Sequence, residues 1–228
     1  MRNRLLFSWS LLLCLAISTT VCSDAVAQSE ELYKVTLLRA APGNLASLIE
    51  ETRDYKSTLD DNLIIMRHSQ GDHWDLMLLS PVADDPLETM DFGSLVSFQH
   101  DFIASSDWTW KSTMAKAENA GLFHIEMFQA VHGQHAALLK EREMENAYLV
   151  ATGRAANAIF VTKIGSDVDS FTIGFYKDMV EFATDPPLSD EVYHKAATDA
   201  GFPSRAEIGT YLRQFLVGHN DTLASHVR

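Results

Sequence analysis

Two stretches of this chain share one hydrophobic pattern. Residues 33–50, YKVTLLRAAPGNLASLIE, and residues 123–140, FHIEMFQAVHGQHAALLK, begin by alternating, break at a glycine, and then place apolar residues every three or four positions. Period two sends successive side chains to opposite faces of a strand, whereas a period near 3.6 builds a helix with one apolar side. The copies lie 90 positions apart and share Ala40/Ala130, Gly43/Gly133, Ala46/Ala136 and Leu48/Leu138. Each is followed by two short apolar runs around a Gly/Asp turn, NLIIMRHSQGDHWDLMLLS and NAIFVTKIGSDVDSFTIGFY. The chain thus reads as two strand-helix-strand-strand modules, residues 28–121 and 122–228.

Within the first module the pattern predicts a strand at 32–39, a turn at Pro42-Gly43-Asn44 and a helix from Leu45 with Asn44 as its cap. Short strands at 63–67 and 76–79 form its hairpin. Residues 92–120 are aromatic but less periodic, and they predict helical pieces covering the sheet. The second module has a longer helix over 134–151, whose charged face carries Lys140, Glu141, Glu143 and Glu145, and a hairpin of strands 158–164 and 171–176. After the break at Asp185-Pro186-Pro187, Ser189 caps a helix reaching Ala200. Ser204 and Glu207 then make a capping box for a last helix bearing Ile208, Tyr211, Leu212, Phe215 and Leu216.

This order of elements, with the stretches FHIEMFQAVHGQHAALLKEREMENAYL and GSDVDSFTIGFYKD, resembles the duplicated ferredoxin-like α+β barrel. That group includes NIPSNAP proteins, EthD-like proteins and antibiotic-biosynthesis monooxygenases. The likeness covers residues 32–180 and is greatest to the tandem NIPSNAP organisation. It implies an α+β fold: two ferredoxin-like βαββ modules in tandem, a sheet or barrel covered by helices, and extra C-terminal helices. The group holds enzymes, haem binders and proteins of unknown role, so the fold leaves the function open.

The first 27 residues change the setting. Arg2 and Arg4 precede an apolar run from Leu5 to Ile17, and Ala25-Val26-Ala27 offers a cleavage site, the pattern of a secretory signal peptide. The run is interrupted by Ser8 and Ser10 and is short for a membrane span. The expected product is a periplasmic or secreted protein with no stable membrane insertion after cleavage. Both cysteines, Cys14 and Cys22, fall inside this segment, so the mature chain has no disulfide, thiol nucleophile or thiolate metal site. The formal charge of the chain is -13; losing Arg2, Arg4 and Asp24 leaves -14. Such acidity opposes binding to nucleic acid.

Candidate chemistry comes from the alternation. In 123–128 the apolar series Phe123, Ile125 and Met127 is expected to face the helices, which sends His124, Glu126 and Phe128 into the barrel interior. His124 and Glu126 then form a titratable pair suited to proton transfer, or two metal ligands. His68, Phe128, Thr172, Arg142 and Asn146 are the candidate ligand-binding residues, and VHGQH offers His132 and His135 as ligands for a metal. His68, Asp72, His73 and Asp75 read mainly as polar turn chemistry, and His219 with Asp221 as polar groups that close a pocket or fray at the C-terminus. GxSxG, Walker, dinucleotide GxGxxG and HExxH motifs are all absent from the sequence. Three readings stay open: a small-molecule binder or cofactor-independent enzyme acting on a hydrophobic ligand, a haem or metal protein of the same fold, and an interaction protein, as a monomer or homodimer. The cofactor, if one exists, is not named by the sequence.

Overall fold

The computed structural model describes residues 30–60, 62–70, 72–82 and 90–228. The leader expected over residues 1–27 lies outside them. The first module runs β1 (Glu31–Ala40), α1 (Leu45–Thr58), β2 (Ile64–Gln70), β3 (Leu76–Pro81), β4 (Val96–Ser106) and α2 (Trp110–Asn119). The second runs β5 (Leu122–Ala130), α3 (His135–Ala151), β6 (Ala158–Ile164), β7 (Ser170–Tyr176), α4 (Met179–Ala183), α5 (Asp190–Ala200), α6 (Ile208–Leu212) and β8 (Leu216–Val227). The eight strands of the described residues join in one closed barrel, in the order β1-β3-β2-β8-β5-β7-β6-β4. Each module contributes the same local order, β4-β1-β3-β2 and β8-β5-β7-β6. Two antiparallel seams, β2 to β8 and β4 to β6, close the ring within one chain.

Two predicted helical regions are corrected. Residues 92–120 are not helical pieces alone: β4 occupies 96–106, and only then does Thr109 cap α2 by accepting the Ser112 N–H at 3.2 Å. The last helix stops at Leu212, and the chain from Leu216 is β8, hydrogen-bonded to β5 on one side and β2 on the other. Both strands are the fourth of a ferredoxin-like module, and pairing on two sides satisfies backbone groups that a short exposed helix would leave to water. Ser189 does cap α5, accepting the Val192 N–H. Asn44 instead donates its side-chain amide to the Ser94 carbonyl. Gly43 and Gly133 hold the equivalent turns at φ +85° and +79°, a region that costs other residues strain.

Closure also reverses the expected faces. Phe123, Ile125 and Met127 pack inside the barrel with Tyr33, Val35 and Leu37 from the facing module. Phe160 and Phe171 stack there at 4.6 Å, with Phe102 edge-on at 6.0 Å, so aromatic rings pack the interior. Each inward large side chain contributes about 1.5–3 kcal/mol by leaving water. His124, Glu126 and Phe128 point outward, where Phe128 packs under α3 against Leu138. The first module repeats this, with Leu38 packed outside against Leu48 of α1. A barrel of eight strands needs its most uniformly apolar series inside; the mixed series goes under the helices, where polar groups find partners.

Candidate functional site

The outer face of β5 carries His124, Glu126 and Phe128 in a row, and β8 lies beside it with Glu126 opposite Asp221 and Phe128 opposite His219. The diagonal across that ladder brings His124 Nε2 within 3.1 Å of Asp221 Oδ1. The other Asp221 oxygen meets His219 Nε2 at 3.2 Å, so one carboxylate holds two imidazoles. Phe182 of α4 covers the pair, its ring 5.1 Å from that of His124. Outside lies a cleft of about 360 Å³, lined by Gln70, His124, Phe182, Asp221, Thr222 and Leu223.

Glu126 lies one row deeper, buried beneath α3. Arg142 Nη1 and Thr172 Oγ1 both donate to its Oε2, each at 3.4 Å. Arg142 is only 2% exposed; it also bonds Glu141 through Nε at 2.6 Å and meets Glu145 at 2.5 Å. Its guanidinium sits 4.8 Å over the Phe128 ring, which stacks in turn against His219. Three carboxylates thus surround one fixed cation. Glu141, expected on a solvated face, is fully buried with one carboxylate oxygen left unpartnered.

The excess negative charge shows in the proton affinities. Burial, reinforced by repulsion from Glu145, pushes the Glu126 carboxyl up from 4.5 to about 7, against the pull of Arg142 and His124. Burial opposes a charged His124, but the Asp221 hydrogen bond and the nearby carboxylates outweigh it and raise the imidazole above its ordinary 6.5. The same hydrogen bond lowers Asp221. An Asp-bonded imidazole at the wall of a cleft, with a proton-binding carboxyl close behind, can accept and return a proton near neutral pH.

His124, Glu126 and Asp221 offer one donor atom each within 4.8 Å, which is the beginning of a divalent-metal site. The set fits a proton better. A metal would require the His124–Asp221 hydrogen bond to be surrendered, and it would sit beside the Arg142 guanidinium that already contacts Glu126. His132 and His135 belong to no such group among the described residues.

Of the expected site residues, the structure brings together His124, Glu126, Phe128, Thr172 and Arg142, though outside the barrel rather than within it. His68 stands apart: its ring lies 5.6 Å from Trp74 and its Nε2 accepts the Asp72 N–H, as turn chemistry implies. Asn146 clamps the chain before β6 by exchanging hydrogen bonds with the Asn157 backbone. Asp221 belongs to a strand rather than a helix end, and that strand repeats β4: residues 96–105, VSFQHDFIAS, align with 216–225, LVGHNDTLAS, through Asp101/Asp221, Ala104/Ala224 and Ser105/Ser225. The structure matches the pairing, since Thr36, the counterpart of Glu126, donates to Asp101 at 2.5 Å. The first module therefore holds Lys34, Thr36 and Asp101 where the second holds His124, Glu126 and Asp221. The space beside Lys34 and Thr36 is only about 10 Å³, a single water. Phe182 had no signal in the sequence, because its place depends on α4 folding back over β5.

No family model matches the chain, and no curated protein matches it in sequence. Solved structures do. An anthrone oxidase-like protein superposes with a TM-score of 0.55 at 10% identity, over 87% of this chain and 92% of its own. A chlorite dismutase-like protein gives 0.52 at 13% identity, over 88% and 96%. A monooxygenase-like protein from Fusobacterium nucleatum gives 0.51 at 9% identity, over 88% and 94%. The chain shares their fold.

Proposed function

We propose that this chain binds a small, mainly apolar molecule in the cleft outside β5 and β8 and moves a proton on it without a cofactor. The observation that carries this reading is the Asp221-bonded His124 on the cleft wall, raised in proton affinity. His124 is the catalytic residue. Glu126 sits behind it and acts through charge, while Arg142 and Thr172 hold Glu126 in place. The cleft volume of about 360 Å³ suits a ligand of two or three fused rings. Within the shared fold, the single-chain tandem favours a NIPSNAP-like organisation acting as a monomer, and the leader-like residues 1–27 favour export to the periplasm.

A ring system with an acidic C–H tests the idea, and the anthrone oxidase-like neighbour suggests anthrone itself. His124 would take a proton from the methylene carbon, leaving a delocalised anion. That anion passes its electrons to dioxygen, the hydroperoxide forms on the same carbon, and loss of water gives the quinone. Wild-type protein in air should raise the rate of quinone absorbance above the blank, and His124→Ala should lower that catalysis by about 10²–10⁴-fold. Absence of both rate enhancement and ligand-induced change at His124 would defeat the proposal. So would a stoichiometric metal on the purified chain whose removal abolishes the reaction.

A further inference from the structure

The charges around the cleft restrict what can enter it. We infer that the cleft selects its aromatic ligand by charge, admitting neutral and ammonium-bearing ring systems and excluding carboxylates, phosphates and sulfates, with Asp221 as the selecting group. This rests on the cleft being the ligand site.

Asp221 is the one carboxylate among the lining residues, which include no lysine or arginine. Its side chain is 56% exposed, and the hydrogen bonds from His124 and His219 engage each oxygen once. A carboxylate has about four acceptor positions, so two remain for a ligand N–H or O–H. Two arginines near the cleft are engaged elsewhere. Arg142 is shut behind the wall by Glu126, Glu141 and Glu145. Arg154 donates to the Phe182 carbonyl, pairs with Asp185 and lies over Tyr176, where it props α4. The two imidazoles both direct Nε2 at Asp221, one to each oxygen. Glu145, half-buried and paired with Arg142 in the same network, is a second negative group behind the cleft. Phe182 contributes a ring that tolerates an adjacent cation and gives nothing to an anion. An anionic ligand would lose its hydration and meet repulsion, while an ammonium would meet a half-exposed carboxylate.

Three probes with one ring and different charges separate these outcomes: naphthylmethylamine, naphthylmethanol and naphthoic acid. Each is titrated into the full chain at low salt while the NMR signals of His124 and Phe182 are followed. The amine should bind at least about tenfold tighter than the acid, with the alcohol between them. In Asp221→Asn, which keeps the shape, the gap should shrink to within about threefold, and Glu145→Gln should narrow it less. Equal affinity for acid and amine, or a gap that survives Asp221→Asn, overturns the charge selection. If the alcohol shifts His124 and Phe182 yet charge makes no difference, the cleft stands and this inference falls. If none of the three shifts them, both fall.

Discussion

At the scale of single residues, Glu126 sits where burial and a neighbouring carboxylate disfavour its charge. Its carboxyl binds a proton more tightly when folded, at about 7, than at its ordinary 4.5. Its stabilising contribution is therefore complete below pH 4.5 and is lost as the pH rises through 7. Glu126→Gln should match wild type in acid and exceed it in alkali by an amount on the order of 1–3 kcal/mol, read as melting temperature against pH. A variant that melts lower than wild type at every pH would show that the carboxyl is structural instead. The same substitution removes a negative charge within 4.8 Å of His124. The His124 titration followed by NMR should then move to lower pH, and with it the acid limb of any turnover. An unmoved midpoint would detach Glu126 from the site.

At the scale of elements, α3 joins the site to the rest of the fold. It was legible as a long helix, His135–Ala151, from its periodicity and the glycine turn before it. Which of its charged residues is buried was not legible, because adjacent positions Glu141 and Arg142 both face inward over β5. Arg142 compensates three carboxylates, so Arg142→Met should destabilise by about 3–5 kcal/mol in urea denaturation. Adding Glu141→Gln to that background should restore part of the loss, since it removes one of the stranded charges. If Arg142→Met is tolerated, the network carries no net stability. The surface pair Lys140 and Glu143, both well exposed, should matter little by comparison.

At the scale of the whole molecule, closure depends on β8. This strand supplies Asp221 and His219, seals the ring against β2 and is the neighbour of β5 along most of its length. A chain ending after residue 215 would leave β2 and β5 as unpaired edges and expose apolar surface to solvent. It should bind hydrophobic dye, aggregate on heating and lose any response of His124 to ligand. A truncated chain that still melts in one sharp transition would contradict the role given to the seam. Closure within one chain also leaves no open edge among the described strands for a second copy, and light scattering of the intact protein should show a monomer. Among the described residues no helix is long and apolar enough to cross a membrane.

The sequence by itself determined the two-module repeat, the α+β class, the glycine turns and the hairpins, because these depend on local periodicity and residue chemistry; it offered His124, Glu126, Phe128, Thr172 and Arg142 as candidates together with His68 and Asn146, which the structure places elsewhere. The repeat between β4 and β8 was also written in the chain, at a spacing of 120 positions rather than 90, through Asp101 and Asp221. Alternation separates two faces of a strand but does not say which is inside. That choice was made by closure: the eight described strands share one interior, which takes the most apolar series, so the candidate site lies outside, under α3 and α4. Only the tertiary structure set Asp221 beside His124, 97 residues away in sequence, because a hydrogen bond across a ladder follows from strand register.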